Sequence, residues 1–566
     1  MEQVTGGDIV AGALERLGVD VVFGIPSVHN LPIYEALRRR GTIRAITVRH
    51  EQSAAGAADA YARVTGRLGV VITSTGPGAA NAMGALLEAR LSSSPVLHIT
   101  GQIDSRFLGQ GRGFIHEVPD QAGMLATVSK WSGMALSTEE IPARMVQAVS
   151  AALRPPHGPV SVEIPIDLQY ASCAASLSEE IPGDVGERAR RDVPAIDQTA
   201  VDAATEVIRG SSRPLIWAGG GVVASGAEAE LKKLARLLGA GVLTSPNGRG
   251  VLPEDDPRCI GNLPWDPDVR ALCQDADTLI AIGTRFQGPN TQNWQMVLPD
   301  KIVHIDVDPS VPGRSYPVLA PVVADAREAL SGILERLGAP CDEAAFGGEP
   351  GWRERVAETA LQARVRLRST LGPQEGLLDE LQDLLPAGTV VVKDSTIPAY
   401  TWGNRLLKVG GVREAIMPNG FAIGLGIPHA LGAAAAADPS RPVVLMVGDG
   451  GFMLAPGDLA TYAQERLPVL VLVYNDGGYG ILRNIQDRQF GERIGVDLGK
   501  PDFCALARSL GVEAERVDSV EGYRKAVETA LSRAATGAPQ LVEIDLDAIG
   551  PMSSPFIGTS RPPEPR

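Results

Sequence analysis

The chain repeats one pattern of apolar and polar positions from end to end. Short, nearly continuous apolar runs, such as VDVVFGI, PVLHITG, TLIAIGT and PVVLMVG, alternate with longer Ala- and Leu-rich stretches of helical character. The runs end at or close to a Gly, Ser, Asn or Asp. Continuous apolar runs of this kind are typical of parallel strands that helices cover on both faces. The pattern therefore predicts an α/β fold built from doubly wound parallel sheets.

Two polar, aperiodic stretches interrupt the alternation, at residues 171–195 and 341–352, and we interpret both as linkers. A chain of 566 residues is long enough for three or four domains at roughly 100–200 residues each. We therefore expect three α/β domains over residues 1–175, 190–340 and 355–550, followed by a tail over 551–566. The first and third segments can share one fold, since both are strand–helix series that end in a strand.

Composition and charge narrow the class of protein. Apolar residues make up 44% of the chain and charged residues 21%, as in ordinary globular proteins, so a disordered chain is excluded. The formal net charge is −15 and no long basic run occurs. Binding of nucleic acid depends on clustered Lys and Arg, so this balance argues against a nucleic-acid partner.

The cysteines and the N-terminus predict the compartment. The five cysteines are scattered without a C-x-x-C pair, which favours a reducing cytosol over a disulfide framework or a zinc site. The N-terminus, MEQVTGGDIV, lacks the basic start and apolar core of a signal peptide. The longest apolar stretches are too short to span a membrane. We expect a cytoplasmic protein without a membrane partner.

The most informative stretch joins PVVLMVGDGG to VLVLVYNDGGYG (residues 442–480). Two strands end in acidic turns, Gly448–Gly450 and Asn475–Gly480, at the strand ends where open α/β sheets bind ligands. Hard carboxylate oxygens beside glycines suit Mg²⁺ that holds a phosphate. Either turn alone is equally consistent with an ordinary strand–helix connection, but the pair at this spacing favours a magnesium–phosphate site.

This arrangement resembles the thiamine diphosphate signature of the acetolactate synthase and 2-oxo acid decarboxylase superfamily, and the similarity runs through essentially the whole chain. The resemblance implies that Asp449, Asp476 and the carbonyl of Gly478 bind Mg²⁺. It also places Gly448, Gly450 and Tyr479 against the cofactor. The family has an asparagine where this chain has Asp476, which adds a negative charge to the site.

A second constellation lies in ITVRHEQSAAGAADAYA, where Glu51 precedes a small-residue helix. Without context, a glutamate there is more often a helix N-terminal residue favoured by the dipole. The resemblance instead implies the activating glutamate, which hydrogen-bonds N1′ of the cofactor's pyrimidine and starts the proton transfer that activates the thiazolium. The turn at Gly76 resembles the family's pyrimidine-side loop. Because this glutamate and the diphosphate site come from different subunits in that family, we expect at least a homodimer, with a tetramer left open.

The segment NGFAIGLG resembles the family stretch that carries the apolar wedge beneath the bent cofactor. The resemblance assigns the wedge to Ile423 and places the carbonyl of Phe421 opposite the 4′-amino group; the alternative is the start of a glycine-rich core helix. Asp394, Ser395 and Thr396 close the strand TVVVK and could contact the diphosphate, although hydroxyls at such a turn can equally cap a helix.

Two histidines are candidates for acid–base work on the substrate. His29 lies in FGIPSVHNLP, a loop that faces the thiazolium in this superfamily, and His116 lies in GRGFIHEVPDQ, where acetolactate synthases carry F-Q-E. Either could instead be a packed loop histidine. Ile485 stands where acetolactate synthases carry a tryptophan, and the His29 loop looks more like the branch with 2-ketoarginine decarboxylase and cyclohexane-1,2-dione hydrolase.

The resemblance therefore implies thiamine diphosphate- and Mg²⁺-dependent making or breaking of a C–C bond in a small 2-oxo acid or ketone substrate, by a carboligase or a decarboxylase. Two alternatives stay open: a non-decarboxylating hydrolase of a diketone, and a catalytically silent relative that binds the cofactor. The middle segment contains WAGGGVV, AIGTRFQ and HIDVDPS, which resemble the region that holds FAD in acetolactate synthases. Arg285 and Asp306 match FAD-contacting positions; the domain could also be empty or bind another nucleotide.

Overall fold

The computed structural model describes residues 3–193, 195–338, 348–436 and 441–556. It contains three six-stranded sheets, one in each third of the chain, and every strand pairing within these sheets is parallel. The prediction of an α/β fold with three parallel sheets is confirmed.

The first domain begins with a short strand and a helix that Thr5 caps, because its side chain accepts from the backbone N–H of Asp8. Its sheet has the order β3-β2-β4-β5-β7-β6. Its elements are β1 (Gln3–Thr5), α1 (Gly6–Arg16), β2 (Val21–Gly24), α2 (Leu31–Arg40), β3 (Arg44–Thr47), α3 (Glu51–Thr65), β4 (Gly69–Thr73), α4 (Pro77–Ser92), β5 (Val96–Gln102), α5 (Gln121–Ala126), β6 (Trp131–Met134), α6 (Glu140–Leu153), β7 (Val160–Pro165) and α7 (Ile166–Tyr170).

The segment expected as the first linker is partly ordered. It contains β8 (Ser172–Ala174), which pairs antiparallel with β1, and α8 (Val185–Arg191), which packs on α6. Apolar Val185 and Ala189 are buried on one face of α8. The polar composition of the segment concealed this short amphipathic face. Residues 341–347 of the second expected linker lie outside the described residues, as do residues 557–566 of the expected tail.

The middle domain has the sheet order β11-β10-β9-β12-β13-β14. Its elements are α9 (Gln198–Arg209), β9 (Pro214–Ala218), α10 (Gly220–Ser225), α11 (Glu228–Leu238), β10 (Gly241–Thr244), β11 (Cys259–Gly261), α12 (Pro267–Asp275), β12 (Thr278–Ile282), β13 (Lys301–Asp306), β14 (Ala320–Val323) and α13 (Ala326–Leu337).

The third domain has the sheet order β16-β15-β17-β18-β20-β19. Its elements are α14 (Trp352–Ser369), α15 (Glu375–Leu384), β15 (Val390–Lys393), β16 (Ala415–Ile416), α16 (Gly426–Ala436), β17 (Val443–Gly448), α17 (Asp449–Phe452), α18 (Leu459–Glu465), β18 (Val469–Asn475), α19 (Gly480–Gln489), α20 (Phe503–Ser509), β19 (Glu513–Val517), α21 (Val520–Ala534), β20 (Gln540–Asp545) and α22 (Leu546–Ile549).

Each sheet is buried on both faces because alternate strand residues enter different apolar clusters. In β4, Val71 belongs to one cluster, whereas Val70 and Ile72 belong to another on the opposite face. The cluster around Val71 continues through α3 and α16 into the third sheet. The first and third domains therefore share one core, which fixes the positions of their two sheets relative to each other. No helix within the described ranges is long and apolar enough to cross a membrane.

Candidate active site

The third domain gathers four loops at one edge of its sheet. They follow β15, β16, β17 and β18, whose parallel pairing brings all four carboxyl ends to the same side. Gly448 pairs with Tyr474, so the acidic turns after β17 and β18 begin side by side. This edge is where open parallel sheets bind ligands.

Asp449 and Asp476 form a close carboxyl pair in these turns. Burial, together with the negative charge of Asp476, raises the pKa of Asp449 to about 7. Burial also raises the pKa of Asp476, against the attraction of Arg483. Two desolvated carboxyls that repel each other are stabilised by a shared cation. The pair is therefore suited to a hard divalent ion such as Mg²⁺.

Glycines around the pair keep the site open where side chains would fill it. A Cβ on Gly450 would lie 2.7 Å from the Tyr479 ring, and one on Gly480 would lie 2.0 Å from Oδ2 of Asp476. Gly478 has φ 157, and a Cβ there would lie 2.1 Å from the carbonyl oxygen of Val496. The Gly-Asp-Gly and Asp-Gly-Gly turns thus form a cradle around the pair, in which Gly478 meets backbone, whereas Gly450 and the nearby Gly480 meet side chains.

Ile423 presents an apolar side chain next to α17, the short helix that begins at Asp449. It is 38% exposed, and its side chain lies 3.4 Å from the position of a Cβ on Gly451, two residues after Asp449. Two residues, one on either side of Ile423, have a left-handed backbone conformation, with φ 58 at Phe421 and φ 86 at Gly424. A large exposed apolar side chain beside a polar pocket is suited to support a flat ring.

The three residues after β15 have different positions at this edge. The carboxylate of Asp394 is fully buried and accepts from the backbone N–H groups of Gly424 and Gly426, at 3.1 and 2.8 Å. Burial raises its pKa. Its contacts shape the Ile423 loop, and a direct bond from this carboxylate to a ligand would require those contacts to give way.

The hydroxyls of the next two residues are closer to the open edge. The Ser395 hydroxyl donates to the carbonyl oxygens of Phe421 and Ala422, each at 3.3 Å, and lies 2.9 Å from the Tyr400 hydroxyl. Oγ1 of Thr396 lies 2.9 Å from the position of a Cβ on Gly448. Thr396 is therefore next to the acidic turn, whereas Ser395 secures the Phe421 carbonyl.

The first domain places a second set of candidate site residues at the corresponding edge of its own sheet. Glu51 begins α3, and its Oε2 accepts from Nδ2 of Asn81 at 3.0 Å. Gly78, at the start of α4, packs closely on this carboxyl, since a Cβ there would lie 2.8 Å from Cβ of Ser74 and 3.1 Å from Oε1 of Glu51. The left-handed Gly76 (φ 59) packs on the His116 backbone. The turn therefore joins Glu51 to the histidine loop.

His29 and His116 meet although 86 residues lie between them. Their ring centroids are 5.1 Å apart, and Nδ1 of His116 lies 3.4 Å from the Ser74 hydroxyl. His29 is buried, and no hydrogen-bond partner of its Nδ1 is found in the described part of the chain. Burial, and then the charge of His116, lower the pKa of His29. A neutral imidazole with a free nitrogen can take up a proton from a bound molecule.

The two sets remain separate within one chain. The hydrogen bonds between the two domains near these residues are structural. The backbone N–H of Arg49 donates to Asp458 at 2.9 Å, and the Thr461 hydroxyl donates to the Thr47 carbonyl at 3.3 Å. The backbone N–H of Gly420, just before Phe421, donates to Glu88 of α4 at 2.9 Å. Within residues 3–193 and 348–556 as far as they are described, no hydrogen bond joins Glu51 to the Asp449 cradle.

Three family models match the chain in order. They describe the N-terminal TPP-binding, central and C-terminal TPP-binding domains of thiamine pyrophosphate enzymes, and they match residues 4–124, 201–333 and 399–544. The chain belongs to the thiamine pyrophosphate enzyme family. The predicted family and the predicted cofactor, thiamine diphosphate, are confirmed, and the chain is a thiamine diphosphate-dependent enzyme.

Three relatives of this chain have names that indicate a decarboxylase or an acetolactate synthase. The chain is 34% identical to the probable 2-ketoarginine decarboxylase of Pseudomonas aeruginosa over 90% of its own length and 88% of the relative. It is 31% identical to the probable acetolactate synthase large subunit of Methanocaldococcus jannaschii, over 96% and 92% of the two chains. It is 32% identical to the acetolactate synthase large subunit of Corynebacterium glutamicum, over 94% and 85%.

In this chain, the sheet of the middle domain has the strand order that is typical of sheets that bind dinucleotides. At the switch point between β9 and β12, a Cβ on Gly219 would lie 2.0 Å from the carbonyl oxygen of Gly283, so the two loops touch through backbone. A cavity of about 680 Å³ opens there, and Arg285 and Asp306 line it. Burial raises the pKa of Asp306 to about 6. Arg285 donates to the Leu91 carbonyl of the first domain.

Several residues of this site escaped the sequence interpretation. Asn81 is bonded to Glu51, and Tyr34, whose hydroxyl is buried and whose pKa is raised by burial and by the charge of Glu51, lies close to it. Arg483 donates to the Asp476 carbonyl at 3.0 Å. Gln121 accepts from the backbone N–H of Gly76 at 2.7 Å. Only Asn81 and Arg483 lie close after a motif glycine, and a polar residue there is too common to be specific; Tyr34 and Gln121 carry no local signal.

Proposed function

We propose that this enzyme uses thiamine diphosphate and Mg²⁺ to break or form the C–C bond beside the carbonyl of a 2-oxo acid, as a decarboxylase or a carboligase. The observation that carries the proposal is the Asp449–Asp476 pair in its glycine cradle, near the exposed Ile423. The activities named for the relatives support the substrate class, since a 2-ketoarginine decarboxylase and acetolactate synthases are among them.

In this proposal, Asp449, Asp476 and the Gly478 carbonyl hold Mg²⁺ and, through it, the diphosphate. Gly448, Gly450, Thr396 and Tyr479 surround that group. When bound, the cofactor supplies the electron sink that a C–C cleavage beside a carbonyl requires. Asp476 replaces the asparagine of the family pattern, and a carboxylate is an equally hard ligand for Mg²⁺.

Glu51 holds the proton that the pyrimidine ring exchanges, and Asn81 orients its carboxyl. The Phe421 carbonyl, to which Ser395 donates, would accept from the amino group of the same ring. The unpartnered Nδ1 of His29 and the neighbouring His116 take and return protons on the substrate side. The contact between the two imidazole rings and the lack of a hydrogen-bond partner for Nδ1 of His29 among the described residues support this division of work.

We infer that the working unit is at least a homodimer. Glu51 and the Asp449 cradle belong to one reaction, but they are not joined by a hydrogen bond in the described chain. A second copy that presents its Glu51 edge to this cradle would complete both sites, which is the symmetry of a two-fold dimer.

We also propose a flavin dinucleotide, FAD, in the middle-domain cavity. The dinucleotide-type strand order, the backbone contact at Gly219 and Gly283, and the position of Asp306 at the end of β13 support a ribose-bearing ligand there.

The test is a panel of 2-oxo acids with purified enzyme, Mg²⁺ and thiamine diphosphate, in which CO₂ release is followed together with product mass spectrometry. CO₂ with an aldehyde identifies a decarboxylase, and CO₂ with a hydroxyketone or acetohydroxy acid identifies a carboligase. Cleavage of a 1,2-diketone without CO₂ would replace the proposal with the diketone hydrolase. Cofactor binding without turnover of any substrate would replace it with a silent relative.

A further inference from the structure

Glu88 is a buried carboxylate in the C-terminal half of α4, outside both sets of candidate site residues, and it is only 2% exposed. Its Oε1 accepts from the backbone N–H of Asn419, and its Oε2 accepts from the backbone N–H of Gly420 at 2.9 Å. The Ser92 hydroxyl donates to Oε1 at 3.0 Å. A side chain of the first domain thus binds main-chain groups of the third domain, 331 residues further along the chain.

These bonds hold the segment that leads directly into Phe421. A Cβ on Gly420 would lie 2.7 Å from Cδ1 of Leu91 and 2.8 Å from Oε2 of Glu88, so the segment packs closely on α4. Nδ2 of Asn419 donates to the Ser92 hydroxyl at 3.1 Å. Residues 88, 91 and 92 are spaced by three and four positions and therefore lie on one face of the helix. That face of α4 supports the segment through its main chain and a side chain.

A carboxylate of the third domain holds the other end of the same loop. Asp394 accepts from the backbone N–H groups of Gly424 and Gly426. Phe421, between the two attachments, has φ 58, a left-handed conformation that a bulky residue rarely adopts. We define residues 419–424 as the cofactor loop. Two buried carboxylates, one from each domain, thus hold a short loop that contains a strained residue.

The bonds in the middle of the cofactor loop are weaker than those at its ends. The Ser395 hydroxyl donates to the carbonyls of Phe421 and Ala422, each at 3.3 Å, so one neutral donor is shared by two acceptors. Hydrogen bonds to an ionised carboxylate are roughly twice as strong as bonds between neutral groups. The contacts at Glu88 and Asp394 therefore have the larger influence on the shape of the loop.

Burial of the carboxylate makes the attachment at Glu88 specific to one position of the loop. Removal of a carboxylate from water is costly unless hydrogen bonds satisfy it. Among the described residues, the hydrogen bonds to Glu88 come from two N–H groups and one hydroxyl. A displaced loop would take away both N–H groups and leave a buried charge without them. The arrangement therefore favours the position in which Asn419 and Gly420 contact Glu88.

We propose that Glu88 is a positioning residue that holds the cofactor loop, so that the Phe421 carbonyl and the Ile423 side chain meet thiamine diphosphate in the required places. Glu88 acts through the loop and not on the reacting atoms. The inference rests on the proposed function for what the loop contacts, whereas the attachment of the loop to α4 can be measured without any reaction.

The first test is hydrogen–deuterium exchange of the full-length protein, with and without thiamine diphosphate and Mg²⁺, measured by mass spectrometry on a peptide that covers residues 417–424. We expect Glu88→Gln to speed exchange at Asn419 and Gly420 at least about tenfold, because the new NH₂ group cannot accept a hydrogen bond. Strand β17 is the internal reference and should exchange as in the wild type. The matched control is Glu35→Gln, the same change at a half-exposed glutamate of the first domain that pairs with Arg38.

Cofactor binding and kinetics separate positioning from a purely structural role, which would lower only the stability of the protein. We expect Glu88→Gln to weaken binding of thiamine diphosphate about tenfold and to lower kcat, with KM for the 2-oxo acid within about twofold of the wild type. Glu88→Asp keeps the charge on a shorter side chain and should bind the cofactor more tightly than Glu88→Gln. This second variant also keeps the proposal testable if Glu88→Gln does not fold.

Two results would overturn the proposal: exchange of residues 417–424 that is unchanged in Glu88→Gln, or exchange that rises equally in β17. Unchanged affinity for thiamine diphosphate in Glu88→Gln would also contradict it. Absence of turnover with every 2-oxo acid would instead contradict the proposed function alone, because exchange and cofactor binding are measured without substrate.

Discussion

The first and third domains have the same sheet and different chemistry. When the six strands of each sheet are numbered in chain order, from β2 in the first domain and from β15 in the third, both sheets have the order 2-1-3-4-6-5. All strands in both sheets run parallel. The loops after the first four strands correspond in the two sheets. In the first domain they carry His29, Glu51, the Gly76 turn and the His116 loop; in the third they carry Asp394–Thr396, Phe421–Ile423, the Gly448 turn and the Asp476 turn.

The difference lies in what each set of loops places at its edge. In the first domain, the carboxyl of Glu51 is bonded to the amide of Asn81, and the imidazoles of His29 and His116 are in contact. The third has two carboxyls that repel each other inside a glycine cradle. The first set is suited to proton exchange and the second to binding a cation and an anion. The same topology thus supports two functions because function depends on loop side chains and not on the sheet.

A substitution of Glu51 gives the strongest test of this difference between the two domains. We expect Glu51→Gln to lower turnover by about two to four orders of magnitude, since the amide cannot exchange the proton. Cofactor affinity should stay within a few-fold of the wild type, because the third domain holds the diphosphate. Steady-state kinetics and cofactor titration measure the two quantities. The control is Glu35→Gln, at a half-exposed glutamate of the same domain that pairs with Arg38. Unchanged turnover would remove Glu51 from the reaction.

Mixing two inactive variants tests whether the two edges act across subunits. In a mixed dimer of Glu51→Gln and Asp449→Ala chains, one site carries both defects and the other carries neither. The purified mixed dimer should therefore have about half of the activity of a wild-type dimer. Activity is measured after co-expression with two affinity tags and compared with each variant alone. Sites formed within single chains would give no recovery, and that result would contradict the homodimer proposal.

Asp449→Ala should act on the cofactor rather than on the chemistry. Loss of one ligand is expected to weaken Mg²⁺-dependent retention of thiamine diphosphate by about 10–100-fold. Equilibrium dialysis with and without Mg²⁺ measures this retention. Asp458→Ala is not a suitable control, because Asp458 accepts from the Arg49 backbone; Asp487→Ala, at an exposed aspartate of α19, is preferable. Retention equal to that of the wild type would place the cation elsewhere.

The last prediction concerns the stability of the folded protein and compares the fourth strands of the two sheets, β5 and β18. In β5 the buried His98 bonds to Thr73 and Ser161, and burial lowers its pKa to about 3, whereas the corresponding β18 is apolar from Val469 to Val473. Since the unfolded chain has the ordinary histidine pKa of about 6.5, it takes up an extra proton between these values. The contribution of His98 is therefore present above pH 6.5 and is lost as the pH falls towards 3.

The free energy of unfolding should fall with acid by about 1.4 kcal/mol more per pH unit in the wild type than in His98→Gln, over pH 4–6. Urea titrations at several pH values measure the two slopes. Parallel slopes would mean that His98 is charged in the folded protein.

The sequence by itself determined the strands, the three sheets and the motif glycines. Continuous apolar runs and the residues that end them are local features, and a strand covered on both faces needs nothing else to be recognised. The acidic turns at Asp449 and Asp476 were also recognisable, because the parallel order of an α/β sheet places successive strand ends at one edge. The resemblance to a known family supplied Glu51 and Ile423.

Only the tertiary structure decided which way side chains point and which distant loops meet. Asp394 turns inward to the N–H groups of Gly424 and Gly426, whereas His29 and His116 come within ring contact. The segment that reads as a linker forms α8 and carries Arg190 into the cavity. These outcomes depend on packing between segments far apart in the chain. A local pattern records which face of an element is apolar, but not what that face will meet.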